Sequence, residues 1–445
     1  MNADQLLDAA DRVLGRLGAD AEGEVTVASG TDALTRFATS FIHQNVADAV
    51  SRIHLRVALD GHVAEASGNQ TDVDALDRLV RSATDAARLR PPDPGWPGVT
   101  PPTPAPPVEH WDDATASADP AARAQRVGAF VSAADGLETA GFCSTEGVTV
   151  AFANSAGQRL SGRTTSAVLD GIARTPTSDG SARAASVRLS DLDGAAVGEA
   201  ATRRARDSAD PTDLEPGRYE VVMSPSCVGN LLGFLAMYGF NGRAVDEGRS
   251  FAKIGEAQFD PSITLADDVA HPMTAGVPFD AEGTPKRRTE LVRGGVTVGL
   301  IHDRRTAKAL GTESTGHALE GAGAWGAIPS NLVLEPGESS ANELIGSMER
   351  GLLVTDLWYT RVLDPRTQVV TGLTRNGVWL VEDGRVSRPV SNLRFTQSYL
   401  EALAPGAVRG VGSDVTLVGG PFGGGTWVVP SLHLASWNFT GGAKG

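Results

Sequence analysis

The stretch Tyr219–Ser250 constrains this chain more than any other. A short strand, Tyr219 to Met223, runs into Ser224-Pro225, a helix start with Ser224 as N-cap and Pro225 as the first helical residue. Val228, Leu231, Leu232, Leu235 and Tyr238 then recur at helical spacing. No Asp, Glu, Lys or Arg falls between Pro225 and Asn241. A helix that is apolar on most sides has to be buried. The rest of the chain must therefore supply walls around it.

The chain is long enough for that. Its 445 residues allow two or three domains with a proper core, and its apolar fraction, 41%, is ordinary for a soluble protein. A net charge of −15 argues against nucleic acid and against an anionic membrane surface as main partners, because both need a Lys/Arg surplus. The two cysteines, Cys143 and Cys227, have neither metal-ligand nor disulfide-framework spacing. Met1 to Asp20 is charged and amphipathic, unlike a secretory signal, and no run approaches the about 18 apolar residues of a membrane span. A reducing cytoplasm is the expected location.

Turn and cap signals divide the chain. The opening helix covers residues 3–17. Strands are expected over Glu24–Ser29 and Ala33–Ser40, and a hairpin over Arg52–Leu59 and His62–Ser67 around Asp60-Gly61. Thr71 is read as capping a helix to about Arg90. Residues 1–90 thus form an α+β module. Pro91–Pro107 carries nine of the 25 prolines and reads as an extended connector, within a linking segment 91–118; a PxxP ligand site is its functional alternative.

Residues 119–210 continue the N-terminal domain. They hold a helix from Asp119-Pro120 to about Ala134 and strands Leu137–Thr145 and Val148–Asn154 turning at Glu146-Gly147. A strand Arg159–Ala173, a loop Thr175–Ala182 and a helix Ser190–Ser208 follow. Pro211–Gly217 reads as the domain boundary. Residues 217–445 are β-rich after the central helix. Hairpin dipeptides stand at Gly294-Gly295, Asn376-Gly377 and Asp383-Gly384, and a helix cap at Ser339 or Ser340. Arg394–Leu403 reads as a short helix, and Gly419–Gly425 as a flexible or tightly turned loop. The fold class is α+β: an N-terminal α/β sandwich-like domain followed by a barrel- or sandwich-like β domain.

The central helix resembles that of the TldD/PmbA family. Further resemblance lies in Asp303-Arg304-Arg305-Thr306-Ala307, in Leu310 to Ala318 with His317 where the family pattern has Asn, in Pro329 to Leu332 with Glu335-Pro336-Gly337-Glu338, in Gly351 to Thr355, and in Gly372 to Gly377. Pro430-Ser431-Leu432-His433-Leu434 is similar to the C-terminal strand of the PmbA (TldE) branch. The TldD branch carries His-Glu-x-x-x-His on the helix, two zinc ligands and a general base, and a distal Cys as third ligand. Laid on this chain, those helix positions are Gly233, Phe234 and Tyr238, and no Cys follows Cys227. The resemblance implies a cytoplasmic heterodimeric zinc metallopeptidase acting on unfolded or flexible peptides and maturing some peptide products. This chain resembles the second, TldE-type subunit. It would hold no catalytic residue, no metal and no cofactor of its own, with zinc in a TldD-type partner.

The remaining motifs add little chemistry. None of the eight histidines forms an H-x-x-x-H pair. His317 and Glu320 would share a helix face, but Thr315-Gly316 and Gly321 to Gly323 argue for a loop. Gly321 to Gly326 matches G-x-G-x-x-G, yet Ile328-Pro329 follows where a dinucleotide site needs a helix. Cys227 near a helix start reads as a small buried residue, and Asp267, Asp268 and His271 as a solvated turn. Ser314, Thr315, Gly316, His317, Gly321 and Gly323 form the loop expected to face a bound peptide, with Asn331 and Arg361 as further candidates. Two other readings stay open: a stand-alone peptide-binding or scaffold protein, homo-oligomeric and without peptidase activity, and an enzyme built around His302, His317 and Glu320.

Overall fold

The computed structural model describes residues 1–321, 323, 325–419 and 425–442. The chain opens with α1 (Ala3–Leu14), β1 (Ala21–Ala38), β2 (Phe41–Leu59), β3 (His62–Gly68) and α2 (Val73–Leu89). Next come α3 (Asp113–Ala116), α4 (Pro120–Ala133), β4 (Glu138–Asn154), β5 (Arg159–Arg174), β6 (Asp179–Ser186) and α5 (Gly194–Asp207). The six strands form one antiparallel sheet in the order β3-β2-β1-β4-β5-β6.

Strand alternation sorts its two faces. Val25, Val27, Leu55 and Val57 pack under Leu6, Val13, Leu76 and Val80 of α1 and α2. Cys143 and Leu169 pack under Phe130 and Val197 of α4 and α5. Phe152 and Leu160 point the other way, onto Phe279 in the second half of the chain. The N-terminal part is therefore a two-layer α/β sandwich.

Several local expectations hold. Asp60 and Gly61 both have positive φ, 50° and 80°, as a two-residue hairpin turn requires. Asp119 accepts a hydrogen bond from Ala122 N with Pro120 behind it, and Asp72, one residue after the expected Thr71, caps α2. Others are corrected. The two strands expected over residues 24–40 are one, and β2 begins at Phe41, well before Arg52. β6 lies within the expected Thr175–Ala182 loop and beyond it.

Glu146-Gly147 is no turn. It lies inside β4, paired with Asp32 and Thr31 on one side and Ser166 and Thr165 on the other. A Cβ on Gly147 would stand 2.9 Å from Ala116 Cα, so the glycine serves close approach of α3.

The second half starts with β7 (Gly217–Met223), α6 (Pro225–Tyr238), α7 (Gly242–Asp246), β8 (Leu265–Asp267), β9 (Thr289–Arg293), β10 (Val296–Thr297), α8 (Arg304–Leu310) and β11 (Leu332–Leu334). It continues with α9 (Ala341–Gly346), β12 (Arg350–Val354), β13 (Leu357–Asp364), β14 (Val369–Thr374), β15 (Val378–Glu382) and β16 (Arg385–Pro389). β17 (Leu393–Ser398), α10 (Tyr399–Ala402), β18 (Val408–Val411), β19 (Thr416–Gly419), β20 (Thr426–Val429) and β21 (Leu432–Gly442) complete it.

A nine-stranded sheet runs β13-β14-β17-β21-β7-β12-β15-β16 with β18 beside β21; a six-stranded one runs β10-β9-β8-β11-β20-β19. α6 lies between them. Leu231 and Leu235 share one core with Val221, Leu352, Phe395 and Trp437 of the larger sheet and with Leu265, Leu332, Trp427 and Val429 of the smaller. The first half of the expected helix Arg394–Leu403 is β17, held between β14 and β21, and its second half holds the helix Tyr399–Ala402. The Gly-rich loop expected at 419–425 falls at 420–424 outside the described residues.

The two halves meet on a seam of buried charge. Glu24 of β1 and Arg56 of β2 oppose each other across the ladder and pair, Arg56 Nε to Glu24 Oε2 at 2.8 Å. Arg56 also reaches Glu282 Oε1 at 3.2 Å, and Glu282 Oε2 accepts from Arg304 N at 2.8 Å. Asp280 accepts from Glu282 N, Thr284 N and Ala318 N at 2.8–2.9 Å.

The Pro-rich crossing is fastened to the same place. Arg304 Nη2 donates to the Pro97, Gly98 and Val99 carbonyls at 3.2–3.4 Å, Lys308 Nζ to Trp96 O at 2.7 Å, and Arg305 pairs with Asp93. Burial, reinforced by Glu282 and only partly offset by Arg56, pushes the Glu24 carboxyl from 4.5 up to about 7; its Oε1 has no partner. Burial and Glu282 likewise push Asp280 from 3.8 up to about 7.

Two outcomes are expected. Gly147→Ala should lower unfolding free energy by about 1–3 kcal/mol in urea titration, since α3 backbone must shift. The folded protein also holds protons on Glu24 and Asp280 that the unfolded chain has released, so their contribution to stability falls as pH rises from about 4.5 to 7. Glu24→Gln should flatten that slope and raise stability above pH 7 by on the order of 2 kcal/mol. Thermal unfolding of wild type and variant between pH 5 and 8 checks this; parallel profiles would refute it.

Candidate functional site

α6 begins as its sequence dictates. Ser224 has extended backbone and Pro225 stands at the first turn, but Ser224 Oγ donates to Thr355 O at 2.6 Å instead of capping the helix. Nine of its 14 residues are buried, Cys227 among them. The Cys227 Sγ lies 3.5 Å from Val354 O, and burial pushes the thiol well above its ordinary value, so the helix start does not activate it. Gly233 and Phe234 are buried, and the Phe234 and Tyr238 rings stack at 6.3 Å, with Tyr399 edge-on to Phe234 and Trp325 edge-on to Tyr238. One face is more open: the exposed Ser226, the half-buried Asn230 and the buried Phe234, four residues apart, line a cleft of about 530 Å³ with residues 356–361. Asn230 Nδ2 donates to Thr360 Oγ1 at 3.1 Å and its Oδ1 accepts from Tyr399 Oη at 3.2 Å.

The loop expected to face a peptide is divided by the fold. Ser314 lines a cleft of about 970 Å³ between the Pro-rich crossing and the segments 268–288 and 304–314. Its walls are Pro101, Pro104, Pro106, Val269 and Pro285, and its rim cations are engaged: Arg287 with Glu313 at 3.1 Å, Arg288 with Asp268 at 3.3 Å and Glu335 at 2.9 Å. Gly321 and Gly323 line a different, smaller cavity of about 180 Å³ with Glu24, Arg56 and Glu282. Gly316, at φ 77°, presses against the Pro285 carbonyl. Two residues of the Gly321–Gly326 motif, 322 and 324, lie outside the described residues.

Thr315 and His317 turn inward. Thr315 Oγ1 lies 2.8 Å from His317 Nδ1 and accepts from His302 N at 2.8 Å. His317 Nε2 stands 3.0 Å from Asp267 Oδ1. Asp267 is not in a solvated turn, as its sequence neighbourhood suggested. It ends β8, 1% exposed, and accepts from Ser330 N and Asn331 N at 2.8 Å each. Burial raises the Asp267 carboxyl, but the His317 ring, the Lys286 ammonium and the Asn331 N–H outweigh it and hold it below the usual range.

Lys286 Nζ donates to Ser330 Oγ at 2.7 Å; burial pushes this ammonium down against the pull of Asp267 and Asp280. Burial also lowers His302. Glu320, the third residue of the possible enzymatic set, instead pairs with Arg52 at 3.6 Å. This network ties β8 to the 314–331 loop and places no nucleophile in the open. Asn331 belongs to it, and Arg361 lies in the α6 cleft.

Glu24, Arg56, Asp280, Glu282 and Lys286 did not stand out in the sequence, and Asp267 stood out only as part of a solvated turn. Each occupies an unexceptional strand or loop position and gains its partners only when distant segments fold together, Arg56 with Glu282 across the seam and Asp267 with Ser330, Asn331 and His317 within the second half. Among the described residues no group of three or more His, Cys, Asp or Glu side chains is arranged to hold a metal ion, and no helix is long and apolar enough to cross a membrane.

Residues 216–441 match the family model of the PmbA/TldA metallopeptidase C-terminal domain. A metalloprotease of Methanothermobacter thermautotrophicus is 29% identical over 232 residues, 50% of this chain and 48% of that one. The PmbA metalloprotease homologue of Haemophilus influenzae is 33% identical over 122 residues, 27% of this chain and 24% of its own. The chain thus spans about half the length, or less, of the curated relatives it matches. The crystal structure of TldE from Thermococcus kodakarensis superposes with a TM-score of 0.87 at 20% identity, covering 99% of this chain and 100% of that one, which shows a shared fold. With the matched model covering half of its length and α6 at that domain's centre, this chain belongs to the PmbA/TldD family.

Proposed function

We propose that this chain is the non-catalytic, TldE-type subunit of a cytoplasmic heterodimeric zinc metallopeptidase acting on unfolded or flexible peptides. The single observation that carries the reading is the state of α6. A catalytic zinc needs about three protein donors and an open position. The places where the family's TldD branch puts its ligands and base are Gly233, Phe234 and Tyr238; Gly233 and Phe234 are buried, and the two rings stack on each other. Glycine and phenylalanine donate nothing to a metal, and the rings occupy the room a hydrated ion would need. Those residues do not fit a zinc ion, and on this reading the metal-dependent step belongs to the partner.

The subunit's part would be structural and selective. The groove beside the Pro-rich crossing offers an apolar wall with a polar rim, a surface suited to extended chain. The TldD-type partner would bring zinc, its ligands and the general base, and this chain would close the cleft and help choose the peptide.

Purification of the tagged chain from its native host should yield a one-to-one complex with a zinc-bearing relative. The chain expressed alone should carry far less than one equivalent of zinc by metal analysis and should leave an unfolded casein-type substrate uncut. Zinc near one equivalent in the chain alone would overturn the reading. So would a zinc-free homo-oligomer without partner, which leaves a peptide-binding or scaffold protein.

A further inference from the structure

We propose that the open edge of β13, with the cleft behind it, is a docking site for an extended polypeptide segment bearing carboxylate side chains. β13 is the last strand of the nine-stranded sheet and, among the described residues, is bonded to β14 on one side only. Such an edge offers unpaired N–H and C=O groups to a further strand. Proteins commonly blunt edges with lysine or proline, and β13, Leu-Trp-Tyr-Thr-Arg-Val-Leu-Asp, has neither. It exposes three large apolar side chains instead: Trp358 at 51%, Tyr359 at 65% and Leu363 at 60%. Isolated exposed apolar residues need no explanation; three on one open strand do.

The strand is also held in an unusual shape. Its register with β14 slips between Trp358 and Arg361, and Tyr359 sits at φ 54°. The left-handed region is costly for a bulky aromatic residue, and such strain gathers at binding sites. Here it keeps both rings outward.

Charge selects the occupant. Arg361 Cζ lies 4.5 Å from the Tyr359 ring centre and Arg375 Cζ 4.4 Å from that of Trp358. Arg361 donates only to the adjacent Thr360 carbonyl, and among the described residues neither guanidinium has a carboxylate within ion-pair distance. The neighbouring Arg183 is already held by Asp170 at 3.9 Å. Asp356 lines the cleft half-buried, accepts from Ser226 Oγ at 3.5 Å and feels the charge of Arg375 without an ion-pair contact to it. Two guanidiniums over aromatic faces, without an ion-pair partner among the described residues, stand out on a chain of net charge −15. A ring-stacked guanidinium is pre-oriented for bidentate pairing with carboxylate. The occupant is therefore an acidic segment running as a strand along β13, with apolar side chains alternating onto Trp358, Tyr359 and Leu363. Lysine-rich peptides and inorganic anions do not meet both demands.

This goes beyond the subunit reading and does not depend on it, because the chain is tested alone. The probe is an acetylated, amidated nonapeptide of alternating glutamate and valine, titrated calorimetrically into the full chain, beside its lysine-for-glutamate counterpart. The acidic peptide should bind at least tenfold more tightly and weaken several-fold between 50 and 500 mM NaCl, conditions that screen ion pairs. Arg361→Ala with Arg375→Ala should cost at least tenfold in affinity. Tyr359→Gly removes an anchor while relieving the backbone, so it should weaken binding at an unchanged or higher melting temperature. Absence of binding at millimolar peptide, equal binding of the lysine peptide, or undiminished affinity in both variants would each overturn the proposal.

Discussion

Everything in the second half depends on the burial of α6. An uncharged helix with leucines on several sides has no stable place at a surface. It is accommodated by two sheets, one on each side, sharing a core that runs from Leu352 and Trp437 through Leu231 and Leu235 to Leu332 and Val429. Fully burying each leucine contributes roughly 1.5–3 kcal/mol. Burial also restricts chemistry. A group with no water around it holds charge only when a partner compensates, and the buried faces of α6 meet aromatic rings and aliphatic side chains. In this chain the central helix is a pillar, and clefts open where Ser226 and Asn230 of α6 lie beside β13 and along the Pro-rich crossing.

A second constraint joins the halves. The N-terminal sheet gives one face to its own helices, and its other face, at β4 and β5, meets the second half through Phe152, Leu160 and Phe279. Beside this apolar contact lies the Glu24–Arg56–Glu282 cluster, with Asp280 next to it. Burial and repulsion from Glu282 outweigh the pull of Arg56 on Glu24 and of the backbone N–H groups on Asp280, which is why both carboxyls are pushed up to about 7. The ion pairs of this cluster fix register: Arg56 reaches Glu282 only when the sheet and the 280–284 turn are seated correctly. The crossing at Trp96–Val99 is held by the same group of residues, so connector, seam and groove are one mechanical unit.

Local chemistry was legible where one or two residues decide a conformation. Asp60-Gly61 and Asp383-Gly384 supply consecutive positive φ angles, and Ser340 with Glu343 makes the capping box of α9. Legibility failed where a residue answers to a distant neighbour. Glu146-Gly147 has the composition of a turn, but Gly147 is there for α3. Arg394–Ser398 has a helical pattern, yet β14 and β21 claim its backbone. Of the loop expected to face a ligand, Ser314 lines the groove, Gly321 and Gly323 line a separate cavity, and Thr315 and His317 turn inward to Asp267. No feature of the sequence separates these cases, because inward and outward directions are set by β8 and β11.

The sequence by itself determined the α+β class, the buried central helix and the identity of the side chains at Gly233, Phe234 and Tyr238, since periodicity, capping and donor chemistry are properties of neighbouring residues. Only the tertiary structure decided which carboxyls burial would push up to about 7, which histidine would be buried against an aspartate, and which strand would end its sheet with exposed aromatic side chains. Those outcomes depend on solvent exclusion and on pairings between residues tens to hundreds of positions apart, such as Arg56 with Glu282, and the energy of such a pairing exists only once the chain has closed around it.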